Sequence, residues 1–148
     1  MSKLFQKDLM EYNSTLNNWK DVVRHGVDLL VKKGCATQEL ADAIFKSTEE
    51  FGAYYVLEKG LALLHAAPGP YALKTATSLI LLKDYVTFNN QPDKQAKIII
   101  TLSATDSTSH LEILQEFSHY FTNEEFKKEA LEAKSLQEFE QLLQKYKF

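Results

Sequence analysis

The hydrophobic residues of this chain change their period twice, and that change limits the folds open to it. Near the N-terminus Trp19, Val22, Val23, Val27, Leu30 and Val31 recur at the spacing of one helix face. Asn17 or Asn18 precedes them as a cap and Gly34 follows as a stop. A second helix is predicted from a Thr37 cap to Gly52, with Leu40, Ala43, Ile44 and Phe51 on one side. The middle then breaks into short aromatic or aliphatic runs at 54–57, 61–64, 77–82, 85–88 and 97–103, divided by the turns "EKG", "KD" and "NNQPD". Several runs are apolar without alternation, as strands covered on both faces require. Helical spacing then returns. Thr122 with Glu125, and Ser135 with Glu138, match the capping box. Leu136, Phe139, Leu142, Leu143 and Tyr146 mark the buried face of a last helix. Helices, then strands, then helices predict a three-layer α/β/α sandwich around a mixed central sheet of about five strands.

No repeat, low-complexity tract or linker divides the 148 residues, so a single domain over 1–148 is expected. A hydrophobic share of 45% with 25% charged residues suits a globular protein with a full core. The net charge of −3 leaves no basic excess for phosphates, and no nucleic-acid partner is expected. Cys35 is the single cysteine, which excludes an intrachain disulfide and a Cys-rich zinc site. The start "MSKLFQKDLMEYN" carries charges every few residues, unlike a signal peptide, and no apolar stretch nears the ~20 residues of a membrane span. A cytoplasmic location is expected.

Most catalytic signatures are missing. There is no G-x-S-x-G elbow, no H-E-x-x-H, no Gly-rich phosphate loop and no metal-ligand spacing, so no cofactor or metal is expected. The four histidines are what remains. His25 falls off the apolar stripe beside Arg24 and Asp28, as a solvated residue would. At ~100° per residue, His119 falls with Glu112, Gln115 and Glu116, away from the arc of Leu111, Leu114, Phe117 and Phe121, and is expected to be exposed and idle. His110 falls inside that arc, in the first helical turn after the run "KIIITLS" and the loop "ATDSTS". His65 ends the apolar run Leu61-Ala62-Leu63-Leu64, ahead of the turn "PGP". Strand ends of this kind are where α/β sheets hold ligands. Whether the two are core histidines bonded to backbone, or two members of one site, stays open on these residues.

The runs "FGAYYVLEKGLALLHAAPGP", "TSLILLKDYVTF" and "IIITLSATDSTSHLEILQ" together resemble the enzyme IIA component of the bacterial sugar phosphotransferase system, mannitol/fructose superfamily. "NWKDVVRHGVDLLVKKG" and "EEFGAYYV" bring the chain nearest to the ascorbate-type subgroup. The resemblance implies that His65 accepts a phosphoryl group from the carrier protein HPr and hands it to a cysteine of enzyme IIB, with the membrane enzyme IIC served indirectly. It implies a phosphotransferase that works through a phosphohistidine, for uptake of L-ascorbate or a pentitol-like sugar. His110 matches the family's second histidine, placed to offer a hydrogen bond or positive charge to the phosphoryl oxygens. A helix N-terminus near "DSTS" would add amide donors. A homodimer is compatible with all of this.

The chain departs from the family pattern at three places. Leu64 stands where the family has proline before the acceptor, Ala67 where the subgroup has arginine two positions after it, and Lys59 where proline is usual. The missing guanidinium leaves Lys74, His110 or a partner to balance the phosphoryl charge. Leu64, Ala66 and Ala67 are expected to form an apolar apron for docking. Two other readings stand beside the carrier: a regulatory enzyme IIA-like module whose His65 phosphorylation controls another protein, and a non-catalytic interaction domain.

Overall fold

The computed structural model describes residues 3–148; Met1 and Ser2, the first two residues of the charged start, lie outside the described residues. Five strands form one mixed sheet: β1 (Met10–Asn13), β2 (Val56–Glu58), β3 (Gly60–Leu64), β4 (Ala76–Thr87) and β5 (Gln95–Ser103). They lie in the order β1-β4-β5-β3-β2, with β1 parallel to β4, β3 parallel to β5, and the other two pairings antiparallel. Helices α1 (Trp19–Lys32) and α2 (Glu39–Phe51) cover one face; α3 (Leu111–Phe121), α4 (Glu124–Glu132) and α5 (Leu136–Lys145) cover the other. Successive side chains of β3 serve both layers. Ala62 and Leu64 join the core under α1 and α2, while Leu61 and Leu63 join the core under α3 to α5. Burial on both faces is why the run shows no alternation. The three-layer sandwich expected from the periodicity is the one observed.

The strands themselves differ from the expected set in two ways. The runs at 77–82 and 85–88 are one strand, because Lys83 and Asp84 continue β4 through an irregularity in its pairing with β5, between Leu81 and Val86. A bulge there keeps the chain extended where a Lys-Asp pair had read as a turn. The strand β1 has no counterpart in the expected set. It is only four residues long, and its alternation is quiet: Met10 and Tyr12 pack on the α3–α5 side while Glu11 reaches His25.

Helix ends follow the local chemistry more than the apolar stripes. Asn18 caps α1, accepting from the amides of Lys20 and Asp21, and Ser135 caps α5, accepting from Glu138. The cap of α4 is Asn123 and not Thr122, whose hydroxyl donates back to Ser118 O within the end of α3. Thr37 does not cap α2 either; Gln38 precedes the helix without a side-chain capping bond, and the Thr37 hydroxyl is buried without a partner. Phe51 is 67% exposed, because α2 ends there and its last turn overhangs the core.

Two tight contacts hold the layers in register. Ser78 Oγ donates to Gly26 O at 2.8 Å, and a Cβ on Gly26 would lie 2.3 Å from Thr101 Oγ1. Gly26→Ala is expected to lift α1 from the sheet and lower stability by ~1–3 kcal/mol, measured by urea unfolding. Thr101→Ala in the same chain should recover part of that loss; no recovery would place the strain elsewhere. On the other face Glu116, expected at the surface, is 3% exposed. Its Oε1 accepts from the amides of Lys3 and Leu4 at 2.9 and 3.0 Å. Those donors enter the interior with Leu4 and Phe5, and buried amides require an acceptor.

Candidate functional site

Because β3 and β5 run parallel, with Leu64 opposite Thr101, their C-terminal ends open on the same edge of the sheet. The chain leaves β3 into His65 and leaves β5 into the loop that ends at His110, the residue immediately before α3. The antiparallel β4 starts at this edge too, with Ala76 opposite Ser103, and brings Thr75 there. The topology therefore gathers both histidines at one end of adjacent strands. Among the described residues no hydrogen bond joins the two imidazoles.

His65 is half-buried, and its ring turns back on its own strand. Nδ1 lies 2.6 Å from Leu63 O. A carbonyl only accepts, so Nδ1 carries the hydrogen and Nε2 keeps its lone pair. Tyr54 stands over the same residue, its hydroxyl donating to His65 O at 2.6 Å and its ring perpendicular to the imidazole at 5.2 Å. In the neutral ring this arrangement fixes the tautomer by the backbone behind it and leaves the Nε2 lone pair free.

His110 presents a different picture. Its Nδ1 is buried without a hydrogen-bond partner, and its side chain does not cap α3. The loop before it is tied by hydroxyls: Thr75 Oγ1 lies 2.6 Å from Ser109 Oγ and 3.1 Å from Thr105 Oγ1. Asp106 Oδ1 accepts from the amides of Thr108 and Ser109 at 2.8 and 2.6 Å. Those two amides, together with the Thr108 hydroxyl, hold the Asp106 carboxyl below its ordinary range. Two of the donors expected of "DSTS" are thus occupied by a carboxylate of the same loop.

Four clefts of about 310 to 560 Å³ are lined by residues other than His65; one of about 480 Å³ lies between Lys3, Thr75 and Ser109. Leu64 is fully buried in the α1–α2 core, so it forms no part of an apron. The exposed apolar side chains on the segments flanking the histidines are Phe51, Leu73 and Leu111, at 67%, 53% and 56% exposure, with Ala67 also exposed. Leu111 was expected in the core, but α3 buries the neighbouring face of Ile113, Glu116 and Tyr120 instead. Lys74 is exposed, and its amide donates to Cys35 O.

The remaining histidines are engaged elsewhere. His25, expected to be solvated, is half-buried and faces Glu11 Oε2 from α1. His119 is exposed as expected but not idle, since its Nε2 donates to Tyr146 O at 2.7 Å and ties α3 to the end of α5. Among the described residues no group of three His, Cys, Asp or Glu side chains is placed to hold a metal, and no helix is long and apolar enough to cross a membrane.

Comparison with known proteins points in one direction. The family model "Phosphoenolpyruvate-dependent sugar phosphotransferase system, EIIA 2" matches residues 3–146. The ascorbate-specific EIIA component of Salmonella choleraesuis is 34% identical over 110 residues, which is 74% of this chain and 71% of that protein. Its counterpart in Escherichia coli K12 is 35% identical over 108 residues, 72% of this chain and 70% of that protein. The mannitol-specific cryptic enzyme IIA CmtB of Escherichia coli superposes with a TM-score of 0.82 at 29% identity, covering 97% of this chain and 96% of its own. The enzyme IIA of the Escherichia coli mannitol system, solved in complex with phosphorylated enzyme IIB, shares the fold at TM-score 0.78 and 17% identity, covering 95% and 97%.

Proposed function

The chain belongs to the EIIA 2 family of the phosphoenolpyruvate-dependent sugar phosphotransferase system, and from that membership we propose that it is a cytoplasmic phosphoryl carrier acting through His65. It accepts a phosphoryl group from the phosphohistidine of HPr and passes it to a cysteine of enzyme IIB. Enzyme IIC then uses the relay for uptake of L-ascorbate or a pentitol-like sugar; ascorbate specificity is what the names of the similar proteins carry.

One observation carries this reading: the Nδ1–H to Leu63 O bond, which leaves the Nε2 lone pair available on a half-buried ring just past the end of β3. In the accepting step Nε2 attacks phosphorus in line. The N–P bond of the donor breaks, and its electron pair returns to the donor imidazole. No proton moves at His65, because Nδ1 already holds one. The ring becomes a cationic phosphoimidazolium whose Nδ1–H bond to the carbonyl strengthens as charge develops. The onward step is the same displacement with a thiolate as nucleophile. Two protein partners would dock in turn, and the exposed apolar side chains Phe51, Ala67, Leu73 and Leu111 are available for such contacts.

His110 is assigned the phosphoryl oxygens of the charged state, since no arginine stands at Ala67. His110→Ala is expected to accept phosphate but to pass it on more slowly, by roughly 10²-fold, in a quenched-flow assay with enzyme IIB. Unchanged onward transfer would remove His110 from the mechanism. The reading as a whole is tested by incubation with phosphoenolpyruvate, enzyme I and HPr, followed by intact-protein mass. One phosphoryl group, stable at neutral pH and lost in acid, is the expected gain; no gain would leave an interaction domain.

A further inference from the structure

The loop that carries His65 is held by two tyrosine hydroxyls, one from outside it and one from its own far side. Tyr54 donates to the carbonyl of His65 itself, at 2.6 Å. Tyr71 donates to the carbonyl of Ala67, two residues further on. Both phenols are pushed above their ordinary range chiefly by burial, opposed at Tyr54 by a hydrogen bond from Ser47 and reinforced at Tyr71 by Tyr54. Each remains a donor across the physiological range. The surroundings are built to keep them there. Tyr54 follows the end of α2, where Gly52 adopts φ 73° and Ala53 N donates to Gln91 Oε1 at 2.8 Å. The next residue, Tyr55, accepts from Leu63 N at 2.9 Å, and it is Leu63 O that holds the imidazole. Tyr71 lies across the "PGP" turn, where a Cβ on Gly69 would fall 2.8 Å from its ring. Its own carbonyl accepts from Thr37 N at 2.9 Å.

We propose that Tyr54 and Tyr71 are positioning residues, a hydroxyl clamp that keeps the His65 segment in the conformation in which Nδ1 reaches Leu63 O and Nε2 keeps its lone pair. The inference rests on the reading of His65 as the phosphoryl acceptor. The ring bonds to a carbonyl two residues earlier in the chain, so the dihedral angles of residues 64 and 65 must both be held. Leu64 is held by its burial in the core. Ala66 packs against the same core, and the two hydroxyls hold the carbonyls of His65 and Ala67. Without them the ring is free to leave Leu63 O, and in water a histidine imidazole favours hydrogen on Nε2, the atom that must attack. The clamp therefore selects the reactive tautomer.

The test compares Tyr54→Phe, Tyr71→Phe and the double variant with the parent chain. Nitrogen-15 NMR should find His65 in the Nδ1–H form in the parent and increasingly in the Nε2–H form in the double variant. Single-turnover acceptance from phospho-HPr should slow about tenfold, at saturating HPr and with little change in apparent KM. Tyr55→Phe is the control. It loses a buried bond to Thr48 at 2.9 Å without touching His65, and should lower Tm while leaving tautomer and rate alone. An unchanged tautomer and rate in the double variant would overturn the clamp. A parent chain that takes no phosphate overturns the acceptor reading alone, and the tautomer comparison then decides the clamp by itself.

Discussion

His65→Ala is expected to abolish phosphoryl acceptance from phospho-HPr while the protein stays folded. The loss should be complete because no other histidine is equipped to replace it. His110 has its Nδ1 buried, His25 faces Glu11, and His119 spends Nε2 on Tyr146 O. The fold should survive because the ring is half-buried at a strand tip. It contributes one hydrogen bond to Leu63 O and one perpendicular contact with Tyr54. Each is worth ~1 kcal/mol, a small part of the ~5–15 kcal/mol of a domain. Intact mass after treatment with phosphoenolpyruvate, enzyme I and HPr makes the measurement, with circular dichroism as the check on folding. An acid-labile phosphoryl group on the alanine variant would mean that another residue is the acceptor.

Phe126→Ala should give the largest change in stability. Phe126 is fully buried in α4, and its ring meets Tyr120, Phe121, Phe139 and Tyr146 at centroid distances of 4.9 to 6.1 Å. It joins α3, α4 and α5 into one layer. Its removal leaves a cavity that the surrounding rings cannot close without losing their edge contacts, and a cost of ~3–5 kcal/mol follows. Urea unfolding monitored by circular dichroism measures it. At low temperature the folded fraction should still accept phosphate on His65, since the layer lies across the sheet from α1 and α2 and contributes no group to that ring. A loss under ~1 kcal/mol would mean that the layer repacks around the gap.

The elements were legible where one residue class dominated a period. The stripe from Trp19 to Val31 and the run from Leu61 to Leu64 are examples, because burial on one face or two writes directly into the pattern. His65 and His110 also stood out, as lone imidazoles following apolar runs. Chain direction in the sheet was not. Whether β3 and β5 lie side by side and parallel depends on pairings between residues far apart in the chain, such as Leu64 with Thr101, and only that adjacency puts the two histidines on one edge. Lys83 and Asp84 misled because charge and turn are correlated, while a bulge accommodates charges inside a strand. Glu116 misled because its partners are backbone amides more than a hundred residues away.

The order of layers and the cap at Ser135 belong to what the sequence determined by itself, which also narrowed the cap of α1 to Asn17 or Asn18. Each depends on residues within a turn or two of one another, where spacing alone decides what can touch. The tautomer of His65, the two tyrosines that grip its loop, the occupied amides under Asp106 and the burial of Leu64 and Glu116 were decided only by the tertiary structure. These rest on hydrogen bonds and contacts whose existence depends on where the chain returns, and a bond of 2.6 Å leaves no room for a different return.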